Sequence, residues 1–258
     1  MAEEISGRGD PLKSLHLLWG RASAGKRGPK SKVQLADLVQ AAIAIADAEG
    51  IDAVSTRRVA EAVGISAMSF YTHIPDKSAL IDLMIDAIAG GPEGAALPRF
   101  DPANWRDNIT MVATAYRQFY LDHPWALQVG THRPVLGPNT LRAYEAILSV
   151  VDGLGLDEVE MDMTVTLITN YVFGAVRDVA RAASVKQQTG MSDDEWWYAI
   201  APFLETIDWA PYPVASRVGP VVGELYGLGD PDRAFTFGLE RMLDGIEAMI
   251  ARKAALRA

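Results

Sequence analysis

Thr56-Arg57-Arg58-Val59-Ala60-Glu61-Ala62-Val63-Gly64-Ile65-Ser66-Ala67-Met68-Ser69-Phe70-Tyr71-Thr72-His73-Ile74-Pro75-Asp76-Lys77 is the stretch on which the fold turns. Ser55 is a good N-cap for a helix over 56–63. Gly64 interrupts that helix, and Ser66 caps a second short one over 67–72. Two short helices joined by the tight turn Val63-Gly64-Ile65-Ser66 make a helix-turn-helix pattern. Val59, Ala60, Val63, Ile65, Phe70 and Ile74 can form a small core with the helix before. Thr56 opens the pair, and Arg57, Ala67, Met68, Ser69, Tyr71, Thr72 and His73 are left pointing outward or at the rim. The outward side of the second helix is small, polar and nearly free of charge, so it can enter a DNA major groove without repelling phosphates. Hydroxyls and a helix N-terminus can hold the flanking backbone. A helix pair with a Gly turn is also a common structural corner, and the pair alone leaves both readings open.

The surroundings are helical throughout. Upstream, Val33, Leu35, Leu38, Val39, Ala42, Ile43 and Ala46 recur at three- and four-residue steps, which predicts a helix ended by Glu49-Gly50. Pro75-Asp76 opens a helix over 77–88. Gly90, Gly91, Pro92, Gly94 and Pro98 mark a linker. Further helices are predicted over 103–122, 139–151, 158–183, 193–207 and 233–253. No segment alternates at period two for long enough to make a strand. The fold class read from the chain is therefore all-α. Three regions are expected: a basic arm over 1–30, flexible apart from a short helix near 12–19; a DNA-binding head over 31–88; and a helical ligand-binding and dimerisation domain over 101–258.

Composition narrows the function classes. The chain has 258 residues, 49% hydrophobic and 22% charged, enough to bury a core. It has no cysteine, which excludes disulfides, Cys-ligated metal and a thiol nucleophile. The longest runs without Asp, Glu, Lys or Arg are fourteen residues, at 62–75 and 163–176, short of the roughly 20 a membrane helix needs. The acidic opening Met1-Ala2-Glu3-Glu4 is unlike a secretory signal. A cytoplasmic protein is expected, with no membrane partner. Net charge is −9, but it is uneven: residues 1–80 balance at +1 and residues 81–258 at −10. Lys26, Arg27, Lys30 and Lys32 cluster directly before the head, a footprint suited to a minor-groove arm. Deleting 1–25 is then expected to change DNA affinity little, and deleting 1–30 to weaken it.

The head resembles the TetR family of bacterial transcriptional regulators. The resemblance rests on the first helix ending in Ala48-Glu49-Gly50, the Thr56-Arg57-Arg58-Val59-Ala60 start of the second, Gly64-Ile65-Ser66, then Phe70-Tyr71-x-His73 and Lys77. It covers about residues 31–88. Phe235-x-Phe237-Gly238-Leu239-Glu240-Arg241-Met242-Leu243-Asp244-Gly245-Ile246-Glu247 is similar to the final helix of an actinobacterial branch of the same family. The resemblance implies that Arg57 contacts phosphate or a base edge. It implies that Ala67, Met68 and Ser69 face bases, that Tyr71 and His73 hold phosphates, and that Lys77 clamps the backbone. Ala67 and Met68 replace the large polar groups of the tetracycline-binding relative, so the operator sequence does not follow from the resemblance. It further implies a homodimer joined by a four-helix bundle, a palindromic double-stranded operator, and a repressor released by a small-molecule effector.

The body reads as acidic and aromatic. On the helix over 158–183, Val165, Ile168, Val172, Val176 and Val179 form one apolar stripe. Thr166, Thr169, Asn170, Phe173 and Arg177 form a second, taken as a neighbouring pocket wall with a few polar groups. Tyr116, Tyr120, Trp125, His132, Trp196 and Trp197 are further ligand candidates, although aromatics in a helical domain are usually core. The effector expected is apolar, aromatic or cationic rather than polyanionic. Phe235, Leu239, Met242, Leu243, Ile246, Met249 and Ile250 stripe the last helix, for a dimer contact or for internal core.

Two other function classes have weaker signals in the sequence. Asp193-Asp194-Glu195 is similar to the magnesium-binding clusters of helical prenyl-diphosphate enzymes, but no further Asp follows at helical spacing. Ser192 with Glu195 explains the same residues as a capping box. His16, His73, His123 and His132 show no metal-ligand spacing. No cofactor, metal or catalytic group is expected, and the chain is read as no enzyme. A helical binding or scaffold protein, or a helical small-molecule enzyme, without DNA function is the alternative.

Overall fold

The structure is a computed structural model that describes residues 10–21, 33–90, 99–129 and 133–257; nothing is placed for the side chains of 181–184, 187 and 188. Among the described residues there are helices and no strands. They run α1 (Pro11–Leu18), α2 (Leu35–Glu49), α3 (Thr56–Ala62), α4 (Ala67–Phe70), α5 (Lys77–Ala89), α6 (Trp105–Asp122), α7 (Pro138–Val151), α8 (Glu158–Thr189), α9 (Asp193–Leu204), α10 (Pro213–Tyr226) and α11 (Pro231–Arg257). Short 3₁₀ turns precede α3, α6 and α7 at Ile51–Ala53, Pro102–Asn104 and Pro124–Gln128. The chain divides into two compact units, Met1–Val165 and Thr166–Ala258.

The first unit is built on the head. Leu38 and Ala42 of α2, Val59 of α3, Phe70 of α4, Ile74, and Leu80 and Met84 of α5 are all sealed from solvent. The expected small core is therefore present at Val59, Ala60, Phe70 and Ile74, while Val63 and Ile65 are half-buried against it. Local caps set the helix starts. Ser55 Oγ accepts from Arg58 N–H at 3.2 Å, and Ser66 Oγ from Ser69 N–H at 3.1 Å. Gly64 sits at φ +74°, where a Cβ would be strained. The second helix of the motif is shorter than the 67–72 expected. Beyond Phe70, Thr72 N–H and His73 N–H bond to carbonyls three residues back, and the Thr72 hydroxyl donates to Ser69 O at 2.7 Å. The last turn is tightened, as helix ends often are.

The arm expected over 1–30 needs correction in part. Asp10 caps α1, which packs on α5, and Leu17 and Leu18 join the head core. Trp19 Nε1 donates to Leu136 O at 2.9 Å. Residues 10–21 are thus a fixed part of the first unit, because α1 offers an apolar face to α5. Lys26, Arg27, Lys30 and Lys32 lie outside the described residues.

In the second unit, Ile168, Val172 and Val176 of α8 and Phe235, Leu239, Leu243 and Ile246 of α11 are buried. Tyr171 stacks on Phe235 at 5.8 Å, and its hydroxyl donates to Phe235 O at 2.7 Å. Gly238 permits this approach, since a Cβ there would collide with the Tyr171 ring. α9 begins with the anticipated capping box: Ser192 N–H donates to the Glu195 carboxylate at 2.7 Å, and Glu195 N–H to Ser192 Oγ at 3.2 Å. That use of Glu195 holds its carboxyl below the usual range, the backbone N–H of Ser192 being the first cause. α10 is a helix that the sequence does not predict. Its Pro213, Gly219, Pro220 and Gly223 argue for a loop, yet the chain is helical from Pro213, which occupies the first turn.

Candidate functional site

The helix-turn-helix presents its reading surface as one exposed patch. Met68 is 77% exposed and Tyr71 49%. Ala67 and Thr72 are also exposed, while Ser69 and His73 are half-buried. Phe70 points the opposite way, into the core, and sets the rotation of α4. Its ring meets that of Tyr71 edge-on at 5.6 Å. The Tyr71 hydroxyl lies 3.2 Å from Thr56 Oγ1, so the start of α3 and the end of α4 bring two hydroxyls side by side. Lys77 opens α5, half-buried. The structure thus gathers Thr56, Met68, Tyr71 and Thr72 on the exposed side of the α3–α4 pair.

The two arginines of α3 play different parts. Arg58 forks onto the Glu49 carboxylate at the end of α2, with Nη1 at 2.9 Å from Oε2. That hydrogen bond holds the Glu49 carboxyl below its usual range. Arg57 Nε donates to Glu61 Oε1 at 2.8 Å, one turn along α3, and both groups are exposed. A solvated i,i+4 pair of this kind adds little to stability. A phosphate can therefore take Arg57 from Glu61 at little cost. Arg58 is the structural arginine and Arg57 the available one.

Sequence reasoning missed a second feature, the join between the head and the helices after it. Asp47 on α2 accepts from Trp125 Nε1 at 2.7 Å and lies 2.8 Å from His123 Nδ1. Asp86 on α5 is buried, and its Oδ1 accepts from Asn139 N–H at 3.1 Å and Thr140 N–H at 2.9 Å. Those are first-turn amides of α7, whose N-cap residue is Gly137 with no side chain to offer. α5 thus supplies the cap that α7 lacks. No local motif betrays this, because 54 positions separate Asp86 from Thr140.

The ligand candidates fare unevenly. Tyr116 and Tyr120 lie together on α6, half-buried: the Tyr116 ring is tilted against Phe119, which meets Tyr120 and His123 edge-on. Burial raises both phenol pKa values, that of Tyr120 to about 12. Trp125 is corrected: it is 1% exposed and belongs to the head core, tied to Asp47. Asn170 and Arg177 were expected to be buried polar groups, and both are exposed, as is Thr166. The reason is geometric. At about 100° per residue they fall opposite the Ile168–Val172–Val176 stripe rather than beside it. Phe173 is half-buried, and His132 lies outside the described residues. Trp196 is exposed.

Trp197, by contrast, walls a 560 Å³ cleft between α9 and α10, with Leu204, Glu205, Trp209 and Glu224. The α10 residues carry no helix signal in the sequence, while Leu204 ends a helix expected there and Trp209 lies just beyond it, with nothing local to mark either as cleft wall. The Gly219–Gly223 pair at helical spacing was the available signal.

Two family models match the chain. One, described as bacterial regulatory proteins of the tetR family, covers residues 38–84; the other, described as tetracyclin repressor-like C-terminal domain, covers 97–250. The chain is 36% identical to the HTH-type transcriptional repressor DrrR1 of Streptomyces coeruleorubidus over 252 residues, 97% of this chain and 90% of that one. It is 25% identical to the class A tetracycline repressor from transposon 1721 of Escherichia coli, over 84% of this chain and 91% of that one. Among solved structures, the Streptomyces coelicolor protein ActR in complex with actinorhodin superposes with a TM-score of 0.68. There the identity is 23%, and 84% of this chain and 97% of that one are covered.

Proposed function

The chain belongs to the TetR family of bacterial transcriptional regulators, and from that premise we propose that it is a repressor whose hold on a palindromic operator is released by a small-molecule effector. Two copies related by a two-fold axis place two α3–α4 pairs about one DNA turn apart. Met68 and Ala67 offer apolar contact to thymine methyls, so operator choice leans on groove fit and DNA shape as well as hydrogen bonding. Arg57, Thr56, Tyr71, Thr72 and His73 hold the backbone, with Lys77 behind them. Ser69 supplies a hydroxyl near the base edges. Lys26, Arg27 and Lys30 add minor-groove and phosphate contacts. The protein acts in the cytoplasm, on DNA, and carries out no catalytic step.

The observation that carries this reading is the exposed, charge-free surface of α4 held at a fixed rotation by Phe70. It is joined to a body whose relatives include DrrR1, a transcriptional repressor, and whose fold ActR shares while holding actinorhodin. The release step runs through α5. Asp86 fastens α5 to the start of α7, and Asp47 fastens α2 to the segment after α6. An effector that favours a different arrangement of α6 and α7 therefore moves the head with them. Linkage requires DNA to weaken effector binding by the same factor, about 1–3 kcal/mol in comparable systems.

The test is a mobility shift on DNA from just upstream of the protein's own gene, across a salt series. A discrete complex should survive excess unrelated DNA. It should weaken at least ten-fold in an Arg57→Ala/Tyr71→Ala double variant, with a shallower salt dependence. If that DNA and a random-library selection both return no specific complex, the regulator reading is wrong.

A further inference from the structure

We propose that the α9–α10 cleft binds a planar aromatic molecule carrying a protonated amine; this rests on the ligand-responsive reading and names the class of ligand. The cleft measures 560 Å³, within the range of drug-sized sites. Its shape comes from two glycines one turn apart on α10. At Gly223 a Cβ would sit 2.5 Å from Trp197 Cζ2, so the indole already lies in the groove there. At Gly219 nothing lies within 4 Å of where a Cβ would stand. The same groove is filled by an aromatic ring at one turn and open at the next. A flat ring entering at Gly219 lies beside Trp197 and within reach of Trp209, in the offset or edge-on contacts aromatic rings favour.

The charge comes from the walls. Glu205 and Glu224 line the cleft, and no Lys or Arg does. Across residues 190–230 there are seven Asp or Glu and a single basic residue, Arg217. An acidic field around an apolar slot concentrates cations and turns anions away. Two tryptophans add faces that attract an ammonium further. A carboxylate-bearing ring of the same size would meet the same stacking surface and the opposite field.

The experiment uses the full chain, without DNA, and two probes of one shape: 9-aminoacridine, cationic at neutral pH, and anthracene-9-carboxylate, anionic. Binding is read by calorimetry and by tryptophan fluorescence. The cation should bind once per chain and at least ten-fold more tightly than the anion. Gly219→Leu fills the open slot, and should abolish binding while leaving helix content and melting temperature intact, since Leu suits a helix better than Gly. Glu205→Gln/Glu224→Gln should narrow the preference between the two probes towards equality. Equal binding of both probes, or binding that survives Gly219→Leu, overturns the proposal. So does conversion of a dimer to a monomer by Gly219→Leu in sedimentation, which would make a second copy the occupant. Loss of all DNA binding beside intact cleft binding would refute the repressor reading and leave the cleft assignment standing.

Discussion

Replacing Asp86 by alanine removes the side chain that accepts the first-turn amides of α7. In the folded chain Asp86 Oδ1 accepts two backbone N–H groups, from Asn139 and Thr140, in a buried setting. The Thr140 hydroxyl is also 3.0 Å from that oxygen, but its single proton has a nearer acceptor in Val135 O at 2.6 Å, so it adds nothing to the cap. Loss of an N-cap costs about 0.5–2 kcal/mol. A carboxylate at a partly buried helix N-terminus contributes up to about 2 kcal/mol through the helix dipole. Amides left without an acceptor in a buried site add about 1–3 kcal/mol. These contributions overlap, and about 3 kcal/mol is the combined expectation for Asp86→Ala. Asp86→Asn keeps an acceptor and loses the charge, for about 1 kcal/mol. Urea denaturation of the full chain should show the midpoint falling in that order with an unchanged slope. In the folded Asp86→Ala protein, effector should also release DNA less well, because α5 no longer follows α7. A loss below about 1 kcal/mol for alanine, or asparagine as damaging as alanine, would refute the reasoning.

Other expectations follow from the same geometry. Trp125→Phe keeps most of the core volume and leaves Asp47 without its indole donor, so stability should fall by about 1–2 kcal/mol, with a change in tryptophan emission. Removal of residues 1–21 strips α1 from α5, uncovers Leu17 and Leu18 sites, and should cost about 2 kcal/mol in thermal or urea unfolding, whatever its effect on DNA affinity. Tyr120, whose phenol is pushed up to about 12 by burial, should be late to ionise in an ultraviolet alkaline titration. Its unfolded counterpart ionises near 10. The stabilisation is therefore full below pH 10 and is lost as pH rises towards 12. A phenol that ionised with the exposed tyrosines would mean α6 is looser than described.

The head was legible because its signals are local and agree with one another. Caps at Ser55 and Ser66, the glycine at position 64 and the Val59–Phe70–Ile74 pattern all specify one turn and one buried face. The charge-free outward side followed from the same assignment. The body was less legible. α10 carries two prolines and two glycines that mark a loop by propensity, yet the chain is helical there although none of its residues is buried. On α8 the sequence suggests two adjacent walls, but the helical period sets Asn170 and Arg177 opposite the buried valines. Trp125 could not be told from a ligand contact, because its partner Asp47 lies 78 positions away. The cap given by Asp86 to α7 is invisible for the same reason: it is long-range, and neither end shows half of a motif.

The docking of α1 sets a limit on what the basic segment can touch. Lys26, Arg27 and Lys30 belong to the connection 22–32, which joins α1, fastened to α5, with α2. Eleven residues running out and back reach at most about half their contour, roughly 18–20 Å from their anchors at ~3.3–3.6 Å per residue. At 3.4 Å per base pair, that is five or six base pairs of duplex. On the arm reading, the footprint of the basic segment therefore stays within about half a helical turn of duplex from Arg21 and Val33, the residues that flank the connection. Lengthening the connection with glycines would widen the footprint, residue by residue, without changing a single contact of the head.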